Sequence, residues 1–110
     1  MGTSQTDLVR GTLDMLILKT LSLQPMHGLG ISRRMEQITD GAFKVKPGSL
    51  FPALHRLEQE GWIVGVWGES ENNRRAKYYK LTASGRRRLG EETRNWTQAL
   101  MAIARILETT

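Results

Sequence analysis

The chain has 110 residues, enough for one domain with a modest core. Sixteen Lys and Arg against eleven Asp and Glu give a net charge of +5 and a pI near 10.1, which suits nucleic acid or an anionic membrane surface as partner. The lack of cysteine excludes a disulfide framework and a thiolate metal site.

The opening stretch "MGTSQTDLVRG" lacks the apolar core of a secretory signal. No apolar run approaches the roughly 20 residues of a membrane span. A cytoplasmic protein without membrane contact is the expectation. In "LDMLILKTLSL", Leu13, Leu16, Ile17 and Leu21 form one apolar stripe, and Met15 and Leu18 add a second side. Such a helix is expected to be buried nearly all round, and Gln24-Pro25 should end it. In "HGLGISRRMEQITDG", Ile31, Met35 and Ile38 predict a second helix stopped at Gly41, with His27 bonded to backbone at its start.

The third helix lies in "GSLFPALHRLEQEGW", around Leu50 to Glu60. Helical spacing turns Leu50, Ala53, Leu54 and Leu57 inward. Gly48, Pro52, His55 and Gln59 turn outward, with Ser49, Phe51 and Arg56 on the flanks. Small residues followed by an imidazole and a guanidinium suit a helix that enters a major groove. A solvated face with an incidental His and Arg is the plainer alternative. Pro52 costs a helix interior about 3 kcal/mol. Either the helix begins late, near Ser49, or the Gly48 carbonyl loses its donor.

The period then changes. Trp62 to Trp67 and Lys77 to Leu81 are strand-like, and Gly68 with Asn72-Asn73 supplies turn chemistry between them. Two strands alone are marginal in water, so the hairpin must lean on the helices. Its loop holds Arg74, Arg75 and Lys77, a basic tip suited to phosphates or a minor groove, or else an ordinary solvated turn. Ten of the sixteen basic residues fall between Lys44 and Arg88, against four acids there. Three helices, a two-stranded ribbon and a basic tip predict a winged helix-turn-helix, mostly α with a small β-hairpin.

From Thr82, a suitable N-cap, the chain reads as helix to its end. Leu89, Thr93, Trp96, Leu100, Ile103 and Leu107 alternate spacings of four and three, a heptad seam. Ala99, Ala102 and Ala104 leave room for a second helix. Arg86, Arg87 and Arg88 open the helix at its less favourable end for cations, so nearby negative charge is expected to offset them. Enzyme readings do poorly. His27 and His55 sit in separate segments without HExxH spacing, and no phosphate loop is present. No catalytic residue, metal or cofactor is expected.

The stretches "GTLDMLILKTL", "HGLGI", "GSLFPALHRLEQEGWI", "ENNRRAKYYKLTASGRRRL" and the closing helix resemble the PadR family of bacterial transcriptional regulators. The likeness covers nearly the whole chain and is to the short subgroup with one helix after the wing. It implies residues 1–81 as a winged helix-turn-helix domain that binds double-stranded DNA, and 82–110 as a dimerisation helix. It also implies a homodimeric repressor on a roughly palindromic operator. Lys46, Ser49, Phe51, Pro52, His55 and Arg56 then belong to the recognition helix and its start, and Arg74, Arg75 and Lys77 to the wing. Leu13, Leu16, Ile17, Leu89, Trp96, Leu100, Ile103 and Leu107 would form the dimer contact. Trp96 is either core of that seam or a platform for a flat hydrophobic effector. Leu29 and Phe51 stand where the family commonly has tyrosine, so hydroxyl contacts to phosphate are not expected there. A winged-helix module that binds protein rather than an operator is the competing reading.

Overall fold

Helix α1 (Gly2–Leu23) sits at the centre, because its apolar residues between Leu13 and Leu21 face more than one side. The computed structural model describes residues 2–69 and 74–109, with side chains from residue 11 onward. After α1 come β1 (Met26–His27), α2 (Gly28–Ile38), α3 (Pro47–Gln59), β2 (Ile63–Glu69), β3 (Arg75–Leu81) and α4 (Ala83–Glu108). Met15, Ile17, Leu18, Leu21 and Thr20 of α1 are all buried. The Thr20 hydroxyl meets its burial by donating to the Leu16 carbonyl at 2.7 Å.

Around α1 the core takes Ile31 and Met35 from α2, Leu50, Ala53, Leu54 and Leu57 from α3, and Ile63, Tyr79 and Leu81 from the sheet. The expected inward face of α3 is therefore the buried one. Ile38 departs from expectation: it is the last residue of α2 and is exposed. Ile17 is a second correction. It is fully buried within its own chain, so it has no surface left for a dimer contact.

Caps follow the sequence closely. His27 Nδ1 accepts from the Gly30 N–H at 3.0 Å and opens α2. That helix ends in paired bonds, Asp40 N–H to Gln37 O and Gly41 N–H to Glu36 O, with Asp40 and Gly41 both at positive φ. Helix α3 ends the same way around Gly61. Its start is earlier than Ser49: Pro47 occupies the first turn and Pro52 lies inside the helix. The Gly48 carbonyl thus has no N–H four residues on.

The sheet has three strands rather than two, in the order β1-β3-β2 and antiparallel throughout. Met26 and His27 pair with Tyr79 and Tyr78, which ties the wing to the corner between α1 and α2. The Asn72-Asn73 turn lies outside the described residues.

Helix α4 is anchored to the body at its first turn and then runs beside α1. The Thr82 N–H donates to the Trp62 carbonyl at 3.1 Å, its hydroxyl donates to the Gly61 carbonyl at 2.6 Å, and Oγ1 accepts from the Gly85 N–H at 3.0 Å. Arg88 stacks over Trp62 at 4.7 Å and pairs with Glu91 and Glu92, the offsetting charge expected for the arginine run. A Cβ on Gly85 would lie 1.9 Å from the Trp62 carbonyl oxygen. Gly85→Ala normally favours a helix, but here the obstacle is backbone that cannot swing aside. Thermal or urea unfolding should show Gly85→Ala less stable by about 1–3 kcal/mol. A gain in stability would show that α4 can move off Trp62 at no cost.

Candidate nucleic-acid interface

The outward side of α3 is open. Gly48, Ser49, Phe51, Pro52, His55 and Gln59 are exposed, and Lys46 is exposed at the N-cap. Small residues keep the first two turns low, so a groove wall can approach closely. His55 is exposed on that face.

Two of the expected DNA-contacting cations are committed elsewhere. Arg56 donates to Asp14 of α1 at 2.7 Å, and both side chains are partly shielded. Lys77 on β3 donates to Glu58 of α3 at 3.0 Å and also lies 5.5 Å from the centre of the Tyr79 ring. Gly65 makes the second pair possible, since a Cβ there would sit 2.2 Å from Lys77 Cε. These pairs join α3 to α1 and to the wing. Arg74 and Arg75 remain exposed, with the Arg75 guanidinium 5.2 Å from the centre of the Trp67 ring.

An open cleft between α3 and the wing brings together Phe51, Arg74, Arg75 and Lys77. It adds Arg33 and Trp67, which sequence reasoning did not place at the site, and Leu29, which it named only for lacking a tyrosine hydroxyl. The signal for Arg33 was its spacing of four from Leu29, one face of α2. The expected dimer residues fall into two groups. Leu13, Leu16 and Leu89 are half-buried against the chain's own core. Leu100, Ile103 and Leu107 are exposed along α4, with Met101 and Ile106 beside them. Trp96 is half-buried and lines a pocket of about 280 Å³ between α1 and α4, with Met15, Glu92 and Ala99. Among the described residues no group of His, Asp or Glu is arranged to hold a metal, and no helix is long and apolar enough to cross a membrane.

Three helices around a shared core, an open third helix and a basic wing define a winged helix-turn-helix transcriptional regulator. Residues 17–91 match the transcriptional regulator PadR-like family, and the chain belongs to it. A transcriptional regulator of Mycobacterium tuberculosis is 30% identical over 85 residues, 77% of this chain and 76% of that protein. The solved transcriptional regulator of Clostridium thermocellum superposes with a TM-score of 0.84 at 28% identity, over 93% of this chain and 99% of that one. A PadR-like transcriptional regulator of Bacillus cereus gives 0.80 at 25% identity, over 94% and 99%.

The pairs at the wing carry a pH dependence. The hydrogen bond to Glu58 holds the Lys77 ammonium above its ordinary 10.5, outweighing the cost of partial burial. Burial pushes the Tyr79 phenol above its ordinary 10.0, and the Lys77 charge offsets part of that. Both groups release protons earlier in the unfolded chain than in the fold. The stability they contribute is complete below about pH 10 and is lost as pH rises through their folded values. The melting temperature should fall above about pH 10, and Tyr79→Phe should fall less steeply than the parent. Parallel alkaline profiles for the two proteins would remove Tyr79 from this account.

Proposed function

We propose that the chain is a dimeric repressor that binds a roughly palindromic DNA operator. The observation that carries this is the meeting of an exposed, low-profile α3 with the wing's unpaired arginines in one cleft. In this reading His55 reads a base edge and Lys46 and Ser49 hold phosphate at the helix start. Pro52 keeps the first turns low. Arg56 and Lys77 hold α3 and the wing in register, a role different from the direct phosphate contact that spacing suggested. Retention of a duplex from the chain's own upstream region, against excess competitor DNA, tests the reading. Equal retention of any duplex, or none, would replace it with the protein-binding alternative.

Residues 82–110 act as the dimerisation helix in this account, and the support is the apolar side that α4 leaves to water. Leu100, Ile103 and Leu107 continue the seam that Leu89 and Trp96 begin. Leu13 and Leu16 add a margin from α1. Two operator half-sites about 34–36 Å apart would then meet two α3 helices. The Trp96 pocket supports a second element, a flat hydrophobic effector held between the two copies of α4.

A dimer presents Arg74 twice. Arg74→Ala should therefore weaken all duplexes alike and flatten the log–log salt slope by about 1.8, at about 0.9 per phosphate contact. A change in sequence preference with an unchanged slope would move Arg74 from backbone to base contact. Leu100→Asp places like charges against each other in the seam. Sedimentation should show monomer, and operator binding should be lost. Tight operator binding by a soluble monomer would mean that the dimer contact lies elsewhere.

A further inference from the structure

Arg88 is held from two sides at the root of α4. Its guanidinium lies 4.7 Å from the centre of the Trp62 ring, and it pairs with Glu92 at 2.5 Å and with Glu91 at 3.8 Å. Glu92 is also part of the wall of the pocket between α1 and α4 that Trp96 lines. One carboxylate therefore serves two places, the pocket and the arginine. We propose that Arg88 is a latch on the corner between α3 and β2, and that an organic cation in the pocket opens it by competing for Glu92. The inference rests on the effector reading above and deepens it by giving the effector a charge and a route to α3.

What the latch closes on is a joint. The Trp62 N–H donates to the Leu57 carbonyl of α3 at 3.1 Å, and the Trp62 carbonyl accepts from the Thr82 N–H, just ahead of α4, at 3.1 Å. Arg88 covers the ring of that same residue, and indole is the aromatic face that attracts a cation most strongly. Arg88 itself is not fully satisfied. Its Nε is buried and has no hydrogen-bond partner among the described residues. An unpaired buried donor is costly, so this position of Arg88 lasts only while Trp62 and Glu92 hold it. Glu91 offers the guanidinium a second carboxylate nearer water, since its side chain is 57% exposed against 27% for Glu92. Two positions for one side chain make an element that a ligand can bias, provided it favours one of them. A cation at Glu92 does so. A neutral molecule of the same shape has no claim on that carboxylate.

The three tryptophans allow a test on the full chain without DNA. Trp96 reports the pocket, Trp62 the joint, and Trp67, on β2 beside Arg75, is the control. Fluorotryptophan labelling gives each ring its own NMR signal, assigned by single Trp→Phe replacements. The probes are N-methylacridinium and acridine, the same flat rings with and without a charge at neutral pH. In the parent, the cation should bind about fivefold tighter than the neutral ring, the upper end for a partly exposed ion pair. It should shift Trp96 and Trp62 together and leave Trp67 in place. Glu92→Gln should lose that preference, and its Trp62 signal should be displaced before any probe is added. Arg88→Gln removes the competitor, so reciprocity requires it to bind the cation more tightly than the parent does. Its Trp62 signal should no longer respond. Saturable Trp96 shifts with Trp62 unmoved, equal affinity for the two probes, or equal cation affinity in the parent and Arg88→Gln would each overturn the latch and leave the effector reading standing. Absence of any saturable Trp96 shift, with either probe and in all three proteins, overturns both.

Discussion

One inward face of four residues holds this molecule in working shape. Leu50, Leu54 and Leu57 of α3 are buried to within 1% of completely, and Ala53 fits between them. Full burial of a leucine is worth about 1.5–3 kcal/mol. A half-exposed ion pair is worth about 0–1 kcal/mol. Packing therefore places α3, and the pairs to Asp14 and Glu58 refine where its flanks point. The consequence for function is direct. A helix fixed by one face can leave its other face small and open to a partner.

A second constraint sets where the chain's long arm points. Helix α4 has 26 residues, about 39 Å at 1.5 Å per residue, in a molecule 58 Å along its greatest extent. Its first turn meets the end of α3 through Thr82, Gly61 and Trp62. Any rotation at that junction is amplified along the helix. Close approach of Gly85 to the Trp62 carbonyl leaves the junction little play. In a dimer joined through α4, the separation of the two α3 helices would be set by this junction and by the packing of α4 on α1 as much as by the seam. An effector between the α4 helices would act through the same joint, and reciprocity requires that DNA and effector then oppose each other equally.

What could be read from sequence was what depends on local periodicity. The two faces of α3, the Thr82 and His27 caps and the helix of α4 all follow from spacings of three and four or from a polar residue at a helix start. What could not be read depends on pairing over distance. Strand β1 has two residues, too few for any period, and exists because Tyr78 and Tyr79 come alongside. Arg56 looks like a free cation until Asp14, 42 residues away, is folded against it. Ile17 belongs to a stripe that suggests an interface, but packing on several sides takes it wholly inside the chain. The cleft drew on α2, α3 and both long strands, so no single window of sequence contained it.

The charge pattern shows why long-range pairing matters to function. A net charge of +5 attracts polyanions from any direction and says nothing about where they settle. Folding removes several cations from contention. Arg56, Lys77 and Arg88 each meet a carboxylate, and their fields are largely cancelled near the surface. Arg33, Arg74 and Arg75 remain around one concavity, together with three apolar side chains. Salt at physiological strength screens charges beyond about 8 Å, so distant lysines add little to a docked duplex. Asp14 and Glu58 act on Arg56 and Lys77, and so fix the flanks of α3 and the base of the wing, while Arg74 and Arg75 stay exposed beside them.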